Sequence, residues 1–573
     1  MRARVNMSEA FSESVQRAFA HIAKVETITV ERLGSDLSFA ADLTGRIVSS
    51  LFSTGLVQVE GECLKVSKKG SEHLRAARNN ESSSLKSASR ALGTAAAELE
   101  DIQQQIIVHT NAFRRAQAPE SHIIVGRRGT GKTLLSRMLK TDQYRFYSGT
   151  ISVATEIASS RILQHLQNSA TDPNLTSVSE QGWRAWLWAE TLCFLANADR
   201  LPRSALPETA NTRGIADVSG LFDWLMSDRG ALVGYQRATD PKIEAAMSLA
   251  EKSLQREGPL LMVVDTLERH PVYNELHEAL VGGQLWASFM MPREMRERIT
   301  VKCFVRSEIY NYALLRSVPN PMKLTSSVLH LFWTSRELAE LAAKRIQWAL
   351  PQKTPPHNFA DSDVSSSWNS LNGAISHLLP ESITDRTGSS EQTFIHLLRH
   401  TQMAPRHVIL ALKSAAESGA AQADQFPIGP SAYLAAIDEL SARLAFETIN
   451  AAQDVYPQIE GVIQLLDRNP QIFKGSVLDK LWHQGGRSIH GDEALWNRDV
   501  FRQVLLDSGV IGVVTQETHR YAHTTFQFSS EHRLAISDRS LCAVHPIFAT
   551  YLRLPLSRLL VLPRLSDAPH KDA

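Results

Sequence analysis

The octapeptide at residues 126–133 constrains the fold of this chain more than any other feature. Its sequence, Gly-Arg-Arg-Gly-Thr-Gly-Lys-Thr, matches the pattern G-x-x-x-x-G-K-[ST] and follows the apolar run at residues 123–125. Glycines let the backbone bend until several N–H groups converge on one phosphate, and the next helix adds the positive end of its dipole. A buried strand, this loop and a helix therefore predict a phosphate-binding site in an α/β fold.

The loop motif predicts a role for each of its residues. Lys132 should reach the β- and γ-phosphates of ATP, and the Thr133 hydroxyl should ligate Mg²⁺. The other predicted nucleotide contacts are Gly126, Arg127, Arg128, Gly129, Thr130, Gly131 and Leu134. ATP and Mg²⁺ are thus the predicted cofactors.

A magnesium-bound nucleotide also needs a carboxylate at the end of another buried strand. The run Leu-Leu-Met-Val-Val at residues 260–264 ends at Asp265, which is the predicted magnesium ligand. A third strand at residues 299–306 would place Arg306 at the same edge, where it can sense the γ-phosphate. The alternative interpretation of Arg306 is a surface arginine that pairs with Glu308.

The overall composition argues against several other classes of protein. At 573 residues the chain exceeds the size of a single core, and 61 basic against 60 acidic residues exclude a polycation that coats nucleic acid. The four cysteines form no C-x-x-C pair, which argues against a zinc ribbon or a disulfide framework. Because neither a membrane-length apolar run nor a signal sequence is present, we expect a cytoplasmic protein without a membrane partner.

Changes in the hydrophobic pattern along the chain predict five regions. These are a winged-helix domain (1–77), a linker and helix (78–105), a P-loop ATPase core (106–332), a helical lid (333–445) and a C-terminal winged-helix-like domain (446–573). The predicted fold class is an α/β P-loop NTPase core with a parallel sheet, plus a helical lid and winged-helix domains at both ends. Polar stretches with proline at 351–367 and 380–392 predict loop-like inserts in the lid.

The first domain is the predicted site of contact with DNA. A short helix, a longer helix and a two-stranded wing follow one another in the order of a bacterial winged helix-turn-helix. The polar residues that could contact DNA are Thr44, Arg46, Ser49 and Ser50 in the longer helix and Lys65, Lys68 and Lys69 in the wing. Only one of the four helix residues is a cation, so DNA contact and docking of a protein partner carry equal weight.

Further motifs carry a family resemblance. Residues 263–269 have the sequence Val-Val-Asp-Thr-Leu-Glu-Arg, residues 304–310 have Phe-Val-Arg-Ser-Glu-Ile-Tyr, and residues 404–408 form an Ala-Pro-Arg-His-Val turn. Together with the loop they make residues 120–415 resemble AAA+ and STAND ATPases, in particular the KAP-like bacterial proteins. The resemblance implies ATP hydrolysis in a homo-oligomer, with Arg306 as the first phosphate sensor and Arg406, on the lid, as the second. It also implies action on DNA, and many such ATPases belong to antiphage systems, with an effector protein encoded nearby.

At one position the chain departs from this family. Many relatives have a second carboxylate directly after the magnesium-binding aspartate, whereas this chain has Thr266. A hydroxyl cannot take a proton from the attacking water at neutral pH as a carboxylate can, so Glu268 becomes the predicted catalytic base. If Glu268 cannot reach that water, the protein would act as an ATP-held switch, and the alternative function is a non-catalytic regulator or scaffold.

Two further groups of residues have competing interpretations. The candidates for an arginine finger, which a neighbouring subunit would supply, are Arg316 and its rivals Arg269 and Arg298. The aromatic cluster consists of Trp183, Trp186 and Trp188. Its helical spacing favours a packed helix over a base-stacking surface.

Overall fold

The computed structural model describes most of the chain, in two compact units. The described residues are 15, 18, 22, 27–37, 41–53, 56–60, 63–68, 85–93, 106–140, 147–169, 172, 174–212, 215–227, 240–265, 275–318, 320–350, 368–384, 388, 390–422, 425–489, 496–530, 532–555 and 557–563. One unit comprises Met1–Ala88 and Ala349–His357, and the other comprises Ser89–Trp348 and Asn358–Ala573.

The first unit contains a three-stranded antiparallel sheet with helices beside it. Its elements are β1 (Thr27–Thr29), α1 (Val30–Leu37), α2 (Ala41–Ser53), β2 (Val57–Glu60) and β3 (Cys63–Val66). Strand β3 lies between β1 and β2. Alternation along β3 buries Leu64 and exposes Lys65, and helical spacing buries Ile47 and Leu51 on one face of α2. Two helices followed by a β-ribbon make this a winged-helix domain.

The second unit is centred on a five-stranded parallel sheet. The strands of this part of the chain are β4 (Ile123–Gly126), β5 (Gly149–Ser152), β6 (Asn211–Thr212), β7 (Ile215–Ala216), β8 (Leu260–Val264), β9 (Ile299–Arg306) and β10 (Val328–His330). The order in the large sheet is β10-β4-β9-β8-β5, so β9 lies between β4 and β8. Every residue of these three strands is buried, as expected when helices cover both faces of a parallel sheet.

Helices pack on both faces of this sheet. The helices of this part of the chain are α3 (Leu85–Ala91), α4 (Asn111–Gln117), α5 (Lys132–Leu139), α6 (Thr155–Asn168), α7 (Leu175–Asn197), α8 (Val218–Ser227), α9 (Pro241–Glu257), α10 (Glu275–Glu294), α11 (Ser307–Arg316) and α12 (Pro321–Thr325). Residues of α4 and α5 pack on one face of the sheet, and α7 and α10 pack on the other. Trp183 and Trp186 of α7 are each 1% exposed, which confirms the packed-helix interpretation of that cluster.

A helical region and a second sheet complete the described part of this unit. Their elements are α13 (Ser335–Ala349), α14 (Trp368–Ser376), β11 (Ser382–Thr384), β12 (Ser390–Gln392), α15 (Thr393–Arg399), α16 (Pro405–Gln422), α17 (Pro430–Gln453), α18 (Ile459–Gln464), β13 (Ile472–Lys474), α19 (Ser476–Gln484), α20 (Arg498–Asp507), β14 (Ile511–Glu517), β15 (Tyr521–Thr525), β16 (Leu541–Val544), α21 (Pro546–Tyr551) and β17 (Leu560–Pro563). The last sheet has the order β13-β16-β14-β15-β17. Its antiparallel β14–β15 hairpin follows α19 and α20 as a wing follows its two helices.

The predicted fold class is confirmed: a parallel-sheet P-loop core, a helical lid and a winged-helix domain at each end. The predicted insert at 351–367 lies outside the described residues. The insert at 380–392 is not a loop throughout, because β11 pairs with β12 there. Helix α17 runs without a break past residue 446, where the sequence predicts a domain boundary. None of the helices that the structure describes has the length and apolar character needed to cross a lipid bilayer.

Candidate nucleotide-binding site

The loop between β4 and α5 depends on two glycines with left-handed backbone angles. Gly129 has a φ of 82° and Gly131, the N-cap of α5, has a φ of 96°. A side chain at either position would be strained because residues with a Cβ rarely adopt this conformation. At Gly129 a Cβ would also lie 2.8 Å from the Cβ of Arg406. The motif therefore has the backbone geometry that its glycines predict.

Lys132 lies buried beneath this loop at the start of α5. Its Nζ donates hydrogen bonds to the carbonyl oxygens of Gly126, at 2.8 Å, and Arg127, at 3.0 Å. The side chain is 6% exposed, so its charge is removed from water and held at the loop. A buried cation at a helix N-terminus is a favourable partner for an anionic oxygen, which is the chemistry that a phosphate supplies.

Thr133 and Asp265 are the predicted magnesium ligands. Thr133 is half-buried in the first turn of α5, and the half-buried Asp265 directly follows β8. One strand, β9, separates β8 from β4, so the two strands are about 10 Å apart at this edge of the sheet. The structure thus brings both residues to the same edge of the sheet, and their role as magnesium ligands stays a prediction.

Several predicted residues lie outside the part of the chain that the structure describes. Thr266, Glu268 and Arg269 belong to the undescribed stretch at 266–274. Arg316 is the last residue of α11, but its side chain is not described. Arg298 directly precedes β9 and so lies at the sheet edge opposite the loop. The roles of the base and of the arginine finger stay predictions.

Arg306 ends β9 beside the loop, but its guanidinium contacts the C-terminal region. Its backbone pairs in register with Gly126 of β4. Nη2 donates to the carboxylate of Asp454 at 2.8 Å, and Nη1 lies 3.5 Å from the carbonyl oxygen of Ala451. The interpretation of a surface arginine is wrong, because the side chain is 4% exposed. Sensing of the γ-phosphate by Arg306 stays a prediction.

Glu308, in the first turn of α11, is a buried carboxylate that the sequence analysis did not select. Its Oε1 accepts a hydrogen bond from Nε of Arg127 at 3.2 Å, and its side chain is 5% exposed. Burial acts to raise the pKa of Glu308, but the charges of Arg127, Arg306 and Lys132 outweigh it and hold the pKa below its usual range. Glu308 is therefore ionised at neutral pH.

Four buried polar atoms around the loop have no hydrogen-bond partner among the described residues. They are Arg127 Nη1, Arg306 Nε, Glu308 Oε2 and Arg406 Nε. Buried polar atoms are almost always satisfied by protein, water or a ligand. Three of the four atoms belong to cations. This cluster therefore fits an anionic ligand with bound water, such as the phosphate of a nucleotide.

Arg406 reaches the loop from the N-terminal turn of α16. Its backbone N–H donates to the carbonyl of Gly129 at 3.3 Å. Its Nη2 lies 3.1 Å from a carboxylate oxygen of Glu447, and Nε of Arg128 lies 3.8 Å from the same oxygen. The structure thus brings Arg128 and Arg406 together around an internal anion. No local pattern in the sequence marks Glu447, since it contacts residues that are far away along the chain.

The C-terminal winged-helix domain also contacts the loop, which the sequence did not predict. Nη2 of Arg127 donates to the carbonyl oxygen of Ser508 at 2.8 Å, and the guanidinium lies 5.4 Å from the ring centre of Phe528. A cavity of about 240 Å³ beside this contact is lined by residues of both the loop and the domain. Lys132, Thr133 and Asp265 do not line this cavity, so it lies beside the predicted phosphate and magnesium positions.

No protein-family profile and no curated protein matches the chain. Two solved structures are distantly similar. The Aeropyrum pernix ORC2 protein, in ADPNP–ADP complexes, matches with 11% identity and a TM-score of 0.32 over 75% of this chain and 87% of that one. The Aeropyrum pernix ORC1 protein, in complex with DNA, matches with 12% identity and a TM-score of 0.29 over 80% of this chain and 96% of that one. Neither similarity is close enough to say what this chain binds.

Proposed function

We propose that this chain is an ATP-binding and ATP-hydrolysing protein of the AAA+/STAND kind, which assembles into an oligomer and acts on DNA or on a DNA-bound partner. The observation that carries the proposal is the loop itself. Gly129 and Gly131 adopt the left-handed conformation, and Lys132 is buried against the carbonyls of Gly126 and Arg127. Such a loop binds phosphate through its backbone and its lysine whatever the rest of the chain does.

Several residues of this chain would bind ATP and Mg²⁺, each in a different role. Lys132 would draw negative charge from the β- and γ-phosphates, and the carboxylate of Asp265 would hold the magnesium shell with the help of Thr133. Arg406 would approach the same phosphates from the lid. Bound Mg²⁺ would neutralise charge on the transferred phosphoryl group, for which positioning and electrostatics supply most of the catalysis.

The first winged-helix domain is the better candidate for contact with DNA. In its longer helix Arg46 and Ser49 are exposed, and Lys65 and Lys68 are exposed in the wing. Thr44 is only 3% exposed, so it packs inside the domain and does not join this surface. Contacts between cations and phosphates are the main source of affinity for DNA. Docking of a protein partner remains the alternative for this surface.

The equivalent helix of the C-terminal domain is less suited to DNA. Helix α20 precedes the wing, and most of its residues after Val500 are buried. Its Arg502 is 9% exposed and its Nη2 lies 2.8 Å from a carboxylate oxygen of Asp479. A buried, paired cation offers less positive charge to DNA than the exposed cations of the first domain do. We therefore assign this domain to contacts with the loop.

Substitution of the loop lysine tests ATP binding and turnover together. We expect Lys132→Ala to weaken ATP binding by at least about 100-fold, because contacts to charged groups contribute about 1.5–3 kcal/mol each. Lys140→Ala is the matched control, since it removes the same charge from the other end of α5. The measurements are ATP affinity and phosphate release, with and without DNA. Equal ATP affinity of both variants would refute the proposed site, and turnover insensitive to DNA would favour a protein partner.

A second function is favoured by the contacts of Arg127 with Ser508 and Phe528. These contacts connect the loop directly to a winged-helix domain. A regulator that responds to bound ATP without hydrolysing it would need such a connection. ATP that is bound tightly and recovered intact from the wild-type protein would support this function. The antiphage setting and a neighbouring effector stay predictions from the family resemblance.

A further inference from the structure

The proposed hydrolysis needs a carboxylate beside the γ-phosphate, and the position after Asp265 holds a threonine. Glu308 is a buried carboxylate whose helix begins at the same edge of the sheet as Asp265. It lies in the first turn of α11, two residues after the end of β9. Strand β9 lies between β4, which leads to the phosphate loop, and β8, which leads to Asp265. Glu308 therefore lies at the sheet edge between the predicted phosphate-binding and magnesium-binding groups.

The surroundings of Glu308 resemble those of a reacting group more than those of a simple ion pair. Oε1 accepts a hydrogen bond from Nε of Arg127 at 3.2 Å, whereas Oε2 is buried and has no hydrogen-bond partner among the described residues. The charges of Arg127, Arg306 and Lys132 hold the pKa of this carboxyl below its usual range. A buried, ionised oxygen without a donor needs an explanation, and a bound water would supply the missing donor.

We infer that Glu308 holds and polarises the water that attacks the γ-phosphate. This inference rests on the proposed ATP hydrolysis. Oε2 would accept a hydrogen bond from the water while Arg127 fixes the carboxylate through Oε1. A carboxylate can do this work without being a strong base, since the transition state is loose and the water must mainly be oriented.

The step balances with water as the only co-reactant. The water oxygen forms a bond to the γ-phosphorus as the bond from that phosphorus to the bridging oxygen of ADP breaks. The electron pair of the broken bond leaves with ADP. One proton of the water passes to Glu308 and then to solvent, so that ADP, inorganic phosphate and a regenerated carboxylate result.

The test compares Glu308→Gln with a matched control, Glu294→Gln. Glu294 is also a largely buried carboxylate that pairs with an arginine, Arg184, and also has a buried oxygen without a partner. It ends α10, before β9 begins, and therefore lies at the opposite edge of the sheet. Both variants remove a buried carboxylate that pairs with an arginine, but only one of them lies beside the loop.

We expect Glu308→Gln to lower kcat at least about 100-fold, the usual size of a lost acid–base contribution. Its ATP affinity should not fall, because no group proposed to bind the nucleotide is removed and the loss of a negative charge beside the loop favours tighter binding of ATP. After incubation with ATP and Mg²⁺, nucleotide recovered from the variant should be ATP, whereas wild-type protein should carry ADP. A variant that has merely lost its fold would bind no nucleotide. Glu294→Gln should keep wild-type turnover.

A second variant covers the case in which Glu308→Gln does not fold. Glu308→Asp keeps the charge beside Arg127 but withdraws the carboxylate by one methylene, so ATP binding should stay intact. We expect kcat to fall at least tenfold, about the size of a partial loss of acid–base catalysis. The inference is overturned if any folded variant at position 308 turns over ATP within threefold of wild type, or if Glu268→Gln alone abolishes turnover. If wild-type protein binds ATP without hydrolysing it, the proposed hydrolysis fails and the inference fails with it.

Discussion

Replacing Gly129 with alanine would introduce two separate costs at the junction of the phosphate loop and the lid. The first is backbone strain, since φ is 82°, and a left-handed conformation costs a residue with a Cβ about 1–2 kcal/mol. The second is overpacking, because the new methyl would lie 2.8 Å from Cβ of Arg406, which costs about 1–3 kcal/mol. Gly131→Ala carries only the first cost: φ is 96° and a Cβ there would meet nothing within 4 Å.

Hydrogen–deuterium exchange can measure the difference between the two variants. The N–H of Arg406 donates to the carbonyl of Gly129, so displacement of α16 from the loop should speed exchange in peptides that contain residue 406. A cost of about 1–3 kcal/mol corresponds to exchange about 5- to 150-fold faster in Gly129→Ala than in Gly131→Ala, without nucleotide. Arg406→Gly removes the clashing Cβ, so in that background the two alanine variants should exchange alike. Equal exchange in the two single variants would refute the reasoning.

Two further predictions concern charge. Burial lowers the pKa of His407 and of His545 to about 3. The unfolded chain, in which histidine has a pKa near 6.5, therefore binds protons that the folded chain cannot bind. The free energy of unfolding should be highest above pH 6.5 and should fall below that pH by up to about 1.4 kcal/mol per histidine per pH unit. Equal urea-unfolding midpoints at pH 7.5 and 5.5 would contradict this. Glu447→Gln removes the internal anion beside Arg128 and Arg406, so ATP affinity in direct binding measurements should rise by about fivefold, as expected from about 1 kcal/mol of lost charge repulsion. Unchanged or weaker binding would contradict it.

Local patterns predicted the elements of this fold well. The glycine spacing of the loop predicted a strand, a turn and a helix, and β4 and α5 lie there. The apolar run at residues 260–264 and the predicted strand at residues 299–306 coincide with β8 and β9. These signals depend on residues that are neighbours in the sequence, and the backbone conformations that they require are formed locally.

The partners of the site residues could not be predicted in the same way. Arg306 was expected at a strand end, but the carboxylate that it contacts, Asp454, lies 148 residues further along the chain. Glu308 was considered only as a surface partner of Arg306, because nothing nearby in the sequence shows that Arg127 covers it. Thr44 was expected on a DNA-facing surface and is buried. In each case a tertiary contact decides the exposure and the charge partner of the side chain.

The acceptor that holds Arg127 in the C-terminal domain is a main-chain oxygen, that of Ser508. Any residue at position 508 would offer the same oxygen. An alanine scan would therefore detect the contribution of the Phe528 side chain but would not detect the contact with the main chain of residue 508. For the same reason the contact does not depend on which amino acid occupies position 508, and related chains could keep the contact with a different residue there. Shifting the backbone between α20 and β14, for example by inserting one residue, would remove it where a substitution would not.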